Sequence, residues 1–260
     1  MAKRASSVRV ALQLYTVRDQ MAKDWRKTLE RVAAAGYRAV EFAGGPFLSI
    51  PASELKEILG ALGLKPVSAG VSYRDLRSDP ERVLSYAAEL GLRFVQAEPD
   101  VRWVASERDA AKLAEEMSEV GREVSRRGMR YTMHNHAVQF ERLVGGRPVY
   151  WLLVELTDPR YVYFEPDVYW IKYAGHDPVE VIERLRGRCP LVHLKDMKDE
   201  RTREMAEIGE GVIDFAKIVE AGSRAGVEWY IVEHDHPPGD SVESARKMLN
   251  YLKSRFGEDP

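Results

Sequence analysis

One arrangement recurs along the chain. An amphipathic stretch ends at a glycine, in most cases a basic residue follows, and a short run of β-branched or aromatic residues comes next. The instances are "GYRAVEF" from Gly36, "GLKPVSAG" from Gly63, "GLRFVQA" from Gly91, "GMRYTMH" from Gly128, "GRCPLVHL" from Gly187 and "GVEWYIVE" from Gly226. A glycine takes the left-handed conformation that closes a helix without the Cβ penalty, so each marks a helix end and each run after it reads as a strand. Two further runs, "VRVALQLYTV" (8 to 17) and "YVYFEPDVYW" (161 to 170), bring the number of expected strands to eight.

The segments between these strands have helical spacing. Leu113, Met117, Val120 and Val124 step by four, three and four along one face, with Glu115, Glu116, Glu119, Arg122 and Glu123 elsewhere on that helix. Helix starts are marked by Asp177-Pro178-Val179-Glu180, a cap followed by proline at the first helical position, and by Asp79-Pro80. Strict alternation of strand and helix implies a parallel sheet. Eight repeats in 260 residues fit an α/β chain folded as a closed (β/α)8 TIM barrel. A doubly wound open sheet is the rival, and it lacks its phosphate loop: "YTVRDQ" follows the first strand instead. No linker divides the chain, so a single domain over 1–260 is expected.

Composition removes several classes of function. With 45% hydrophobic and 31% charged residues the chain has a globular make-up, and a net charge of −2 without long basic runs speaks against nucleic acid. No segment approaches the ~20 apolar residues of a membrane span, and "MAKRASSVRV" has no apolar stretch of signal-peptide length behind it, so a cytoplasmic protein is expected. The single cysteine, Cys189, precedes an apolar strand and reads as a buried structural thiol.

In a β/α barrel, function sits at the C-terminal ends of the strands, where residues two apart point the same way. Strand 5 ends in His134 and His136, strand 6 in Glu165 and Asp167, strand 7 in His193 and Lys195, strand 8 in Glu233 and Asp235. All six histidines follow residue 133, and five fall at or just after strands 5, 7 and 8. A lone histidine at a strand end is more often a satisfied polar residue than a ligand. Ionisable groups ending four adjacent strands, however, need something cationic to hold them, and a divalent metal (Mn, Co, Zn or Mg) supplies it.

The chain resembles the xylose isomerase-like barrel superfamily, and within it the sugar phosphate isomerase/epimerase group. The resemblance is carried by "LQLYTVRD", "GYRAVEFAG", "HNHAVQF", "DVYWIKYAGHDPVEVIERLRGRCPLVHLKDM" and "EIGEGVIDFAKIVEAGSRAGVEWYIVEHD". That family holds a metal at the ends of strands 5 to 8, commonly by Glu, Asp, His and Glu. The resemblance therefore implies Asp167, His193 and Glu233 as ligands, with His134 in the strand 5 position where many relatives have glutamate. Related epimerases use the two glutamates as their acid/base pair, so here His136 replaces one of them as proton carrier beside Glu233. Gln139, where relatives often have glutamate, and the region of Gly70, where many have a histidine, are further departures.

The implied chemistry is a metal-dependent sugar isomerase or epimerase. The metal binds the carbonyl and adjacent hydroxyl of a keto or aldo sugar and stabilises the enediolate left when a neighbouring proton departs. Loss of a β-hydroxyl from the same enediolate makes the alternative a keto-sugar or keto-inositol dehydratase. Lys195 faces the mouth as a candidate catalytic residue, against a plain ion pair with Glu165 or Asp167. Glu41, Trp170, Gln13 and Glu210 are candidate substrate contacts, with Tyr169 and Tyr15 as weaker ones and Asp214 as a helix cap. The expected partner is a small sugar, with a homo-oligomer possible. Three rivals remain. The spacing from Gly128 through His134 and His136 to Glu141 also suits the metal motif of the all-β cupins, which long helices oppose. An apurinic endonuclease-like phosphodiesterase needs more histidines, including on early strands. A non-catalytic sugar-binding protein would not need Asp167, His193 and Glu233 together.

Overall fold

A computed structural model describes residues 8–257. The basic residues of the N-terminal start, Lys3 and Arg4, lie outside these residues, as do the last three of the 1–260 span. Eight strands form one sheet: β1 (Val10–Gln13), β2 (Ala39–Ala43), β3 (Lys65–Gly70), β4 (Phe94–Gln96), β5 (Arg130–His134), β6 (Val162–Glu165), β7 (Leu191–Leu194) and β8 (Trp229–Val232). Their order is β6-β5-β4-β3-β2-β1-β8-β7, and every pair is parallel. A parallel bridge between Asp167 and His193, with the His193 amide donating to Pro166 at 3.0 Å, joins β6 to β7 and closes the barrel. The open doubly wound sheet and the all-β cupin are thereby excluded.

The expected punctuation is present. Gly36, Gly63, Gly91, Gly128, Gly187 and Gly226 all have positive φ, between 64° and 104°. Asp79 and Asp177 cap their helices through the amides of Arg82 and Val179, each with proline at the first turn. The helix Glu107–Arg126 buries Leu113, Met117, Val120 and Val124 as its spacing predicts.

Two strands are shorter than their apolar runs. After Gln13 the chain turns into a 3-10 helix, Leu14–Val17, because the Gln13 side chain accepts from the Tyr15 amide. The run 161–170 is a strand followed by a helix. Pro166 has no N–H for a ladder, and Asp167 caps Val168–Tyr173 through the amides of Tyr169 and Trp170. The β2–β3 register slips by one at Val67, next to Pro66.

Period-2 alternation divides the inside of the barrel into layers. Ala11, Ala39, Val67, Phe94, Leu191, Trp229 and Ile231, from six strands, form an apolar cluster separate from the main core. Two residues further along, Gln13, Glu41, Phe94's neighbour Gln96, and His193 replace it with polar groups. The apolar cluster fills one end of the barrel interior, and the ionisable strand-end groups stand at the other. No helix of the described residues is long and apolar enough to cross a membrane.

Candidate active site

The ends of β5, β6 and β7 bring His134, Asp167 and His193 together, with one donor atom from each within 4.8 Å of the others. Asp167 divides its carboxylate. Oδ1 accepts the amides of Tyr169 (2.9 Å) and Trp170 (3.0 Å), and Oδ2 lies 3.9 Å from His134 Nε2. The Asp167 amide donates to Asn135 Oδ1 at 3.1 Å, so the middle residue of "HNH" fixes the β6 end against β5. Burial, reinforced by the positive charges of His193, His136 and Lys195, holds the His134 imidazole well below its ordinary range, so it is neutral. Its buried Nδ1 has no hydrogen-bond partner, and buried Asp167 Oδ2 has none of good geometry. A neutral imidazole beside an incompletely satisfied carboxylate oxygen and a second histidine fits a divalent cation with mixed nitrogen and oxygen ligands.

His193 is engaged on both sides. Nδ1 is 2.8 Å from Glu233 Oε2, while Nε2 is 2.7 Å from Glu41 and 3.3 Å from Glu165. Burial opposes its charge, but Glu41 and Glu165 outweigh burial and raise its pKa well above the ordinary value. Glu233 lies in the same contact, where burial would raise its pKa; Lys195 and His193 overcome this and hold it at about 2. Lys195 is buried, with Nζ 3.2 Å from Asp167, 2.9 Å from Glu233 and 2.9 Å from Asp235. The simple ion pair weighed for Lys195 is thus present with Asp167, but its other partners are Glu233 and Asp235 and not Glu165.

Beneath these groups lies a second trio, Glu41, Glu165 and His193, also with donor atoms within 4.8 Å. Gln13 Nε2 donates to Glu41 at 2.7 Å, and Thr132 Oγ1 to Glu165 at 3.3 Å. Burial, then the neighbouring Glu41 charge, push Glu165 up to about 8. Glu41 is completely buried, does not line the cavity, and lies against Gln13 Nε2 and His193 Nε2.

A cavity of about 1260 Å³ opens above, lined by Gln13, His134, His136, His193, Lys195 and Glu233 among others. His136 carries a partner with no counterpart in the sequence reading. Its Nδ1 is 2.8 Å from Glu98 Oε2, Gln139 Nε2 donates to the other Glu98 oxygen, and Gln139 Oε1 accepts the His136 amide at 2.8 Å. Burial lowers the His136 pKa, and Glu98 raises it by more, leaving a net upward shift. Glu98 follows Gln96 by two residues, so the strand-end rule that selected the groups on β5 to β8 applies to it equally.

Trp170 packs on His136 (5.3 Å between ring centroids), with Lys195 Nζ 5.8 Å from its ring, and does not itself line the cavity. Tyr169 donates its hydroxyl to the Arg203 carbonyl and belongs to the packing. Glu210 is exposed and outside the cavity lining, and Glu141 is likewise exposed. The "GEGVID" loop that carries Glu210 is instead organised by buried Asp196, which accepts the amides of Met197, Gly209, Gly211 and Ile213. Asp214 caps the next helix as expected. Cys189 is buried, and burial pushes its thiol far up.

A family model described as the xylose isomerase-like TIM barrel matches residues 29–255. The chain belongs to the xylose isomerase-like TIM barrel family. Among curated relatives, an inosose dehydratase of Clostridium perfringens is 27% identical over a match 178 positions long that covers 60% of this chain and 58% of that protein. The chain thus spans less than two thirds of that relative's length. Two solved structures are similar over nearly their whole lengths. A sugar phosphate isomerase/epimerase from Parabacteroides distasonis has a TM-score of 0.83 at 24% identity, covering 99% of this chain and 98% of its own. The IolI protein with a bound zinc atom has a TM-score of 0.75 at 16% identity, covering 96% and 99%. At such identities these structural likenesses speak for the fold.

Proposed function

We propose that the protein is a metal-dependent dehydratase of a keto sugar or keto-inositol, and that His134, Asp167, His193 and Glu233 hold the metal. The observation that carries this reading is the asymmetry of the acid/base groups. Isomerisation or epimerisation by two glutamates needs a carboxylate at the end of β5, where the neutral His134 imidazole stands. At the ends of β5 to β8 the groups facing the cavity beside the imidazoles are Glu233 and Asp235, both held by Lys195, with a separate imidazole–carboxylate pair, His136 with Glu98. The inosose dehydratase relative supports water loss over isomerisation as the outcome.

A bound divalent cation supplies Lewis-acid polarisation of the substrate carbonyl, which acidifies the neighbouring C–H. Glu233, ionised between Lys195 and His193, is a weak base that takes a proton from such an acidified carbon. Lys195 keeps that carboxylate charged and oriented. His136, with 44% of its side chain exposed and Nδ1 held by Glu98, presents its other ring nitrogen as the proton donor to the leaving hydroxyl. The balance is complete: the carbon-bound proton goes to Glu233, the β C–O bond breaks, water leaves with the proton from His136, and a carbon–carbon double bond remains.

The test is incubation of the metal-loaded protein with a keto-inositol in D2O, followed by mass and ultraviolet absorbance. Loss of one water with growth of an enone band is expected, and Asp167→Ala abolishes it. Deuterium uptake without loss of water would instead establish isomerase or epimerase chemistry at the same groups.

A further inference from the structure

The cavity has two halves of different character. The groups used above come from the ends of β5 to β8, with only Glu98 from the other side. The half built on the segments that follow β1, β3 and β4 carries large aromatic and cationic side chains facing the same space. Trp103 and Tyr15 are 45% and 41% exposed, and both line the cavity. The Tyr73 hydroxyl, buried at the same wall, has no hydrogen-bond partner. Arg74 and Lys112 line it as well and make no ion pair with the described residues, whereas the nearby carboxylates Glu116 and Asp100 are matched by Arg77 and Arg102.

Size points the same way. Pockets for drug-sized ligands run to about 300–1,000 Å³, and a single polyol ring needs less. This cavity, at about 1260 Å³, exceeds that range. Resting on the sugar reading of the site, we propose that the half around Trp103 is a subsite for a second sugar ring, so that the substrate is a keto sugar bearing a further sugar unit. An exposed indole gives a flat apolar platform for the C–H face of a pyranose ring. Arg74 and Lys112 supply hydrogen bonds to its hydroxyls.

Titration calorimetry on the metal-loaded protein with glucose, cellobiose and glucose 6-phosphate tests the subsite. Cellobiose is expected to bind roughly tenfold more tightly than glucose, and Trp103→Ala to erase that advantage while glucose binding is unchanged. Trp103→Phe should retain most of it. Equal binding of the two neutral sugars by the wild type, or an advantage that survives Trp103→Ala, overturns the proposal. A preference for glucose 6-phosphate that disappears in the Arg74→Ala/Lys112→Ala double variant also overturns it, by assigning this half to an anion. The dehydratase reading stands or falls separately: if a keto-inositol loses water while cellobiose gains nothing, only the subsite fails. If cellobiose gains but no keto substrate loses water, the subsite remains without that chemistry.

Discussion

Glu165 is the residue whose surroundings most clearly set a pH dependence. It is wholly buried beside Glu41, and burial together with that neighbour raises its pKa from 4.5 to about 8. The folded protein therefore holds a proton there more tightly than the unfolded chain does. The stabilisation is fully present below the unfolded value and drains away as the pH rises through about 8. In metal-free protein, Glu165→Gln keeps a neutral side chain at every pH, so its melting temperature is expected to fall less than that of the wild type between about pH 6 and about pH 9. Parallel curves for the two proteins would show that Glu165 is ionised in the fold. At this scale the sequence marked Glu165 as an inward strand-end residue, since it lies two before Asp167. Its protonation was not legible, because that depends on Glu41 of another strand, and separation along the chain says nothing of which inward side chains meet.

At the scale of elements, two close packings carry definite costs. Gly121 sits in the middle of the helix Glu107–Arg126, where a Cβ would strike the Tyr161 carbonyl at the start of β6. Gly121→Ala gains helix propensity yet forces helix and strand apart, and overpacking of this kind costs about 1–3 kcal/mol, to be read from urea unfolding. An unchanged or raised midpoint would mean that the helix shifts freely. Asp196 is the other case, since its carboxylate accepts four backbone amides and so shapes the segment from Met197 to Ile213. Asp196→Ala leaves those donors unmatched and is expected to cost on the order of 3 kcal/mol, with faster amide exchange at Gly209, Gly211 and Ile213. The elements themselves were readable from glycine stops and Asp-Pro starts, because these act through local backbone chemistry. The internal shape of the "GEGVID" loop was not, and Glu210, chosen for its place in that loop, points to solvent because Asp196 draws the backbone inward instead.

Across the whole molecule, closure of the barrel is what turns four separate strand ends into one group of interacting charges. The sequence showed which residues end each strand, and alternation along each strand showed which of them face inward. It did not show that Lys195 would stand among Asp167, Glu233 and Asp235, two of which are proposed or adjacent to proposed metal ligands, because that requires the β7 and β8 ends to be brought against β6. The ammonium supplies within the protein part of the positive charge that a divalent cation would also supply. Removing it as Lys195→Met leaves the three carboxylates without their counter-charge, and breaking a buried ionic contact costs about 3–5 kcal/mol. A metal at a hundred times its Kd stabilises a folded protein by about 2.7 kcal/mol. If ammonium and metal share Asp167 and Glu233, the metal has more unmatched charge to relieve in the variant. The rise in melting temperature on adding manganese should then be larger for Lys195→Met than for the wild type, with Asp167→Ala showing little rise at all. Equal rises in Lys195→Met and wild type would place the cation away from the carboxylates that Lys195 holds, and would favour the deeper trio of Glu41, Glu165 and His193 as its site.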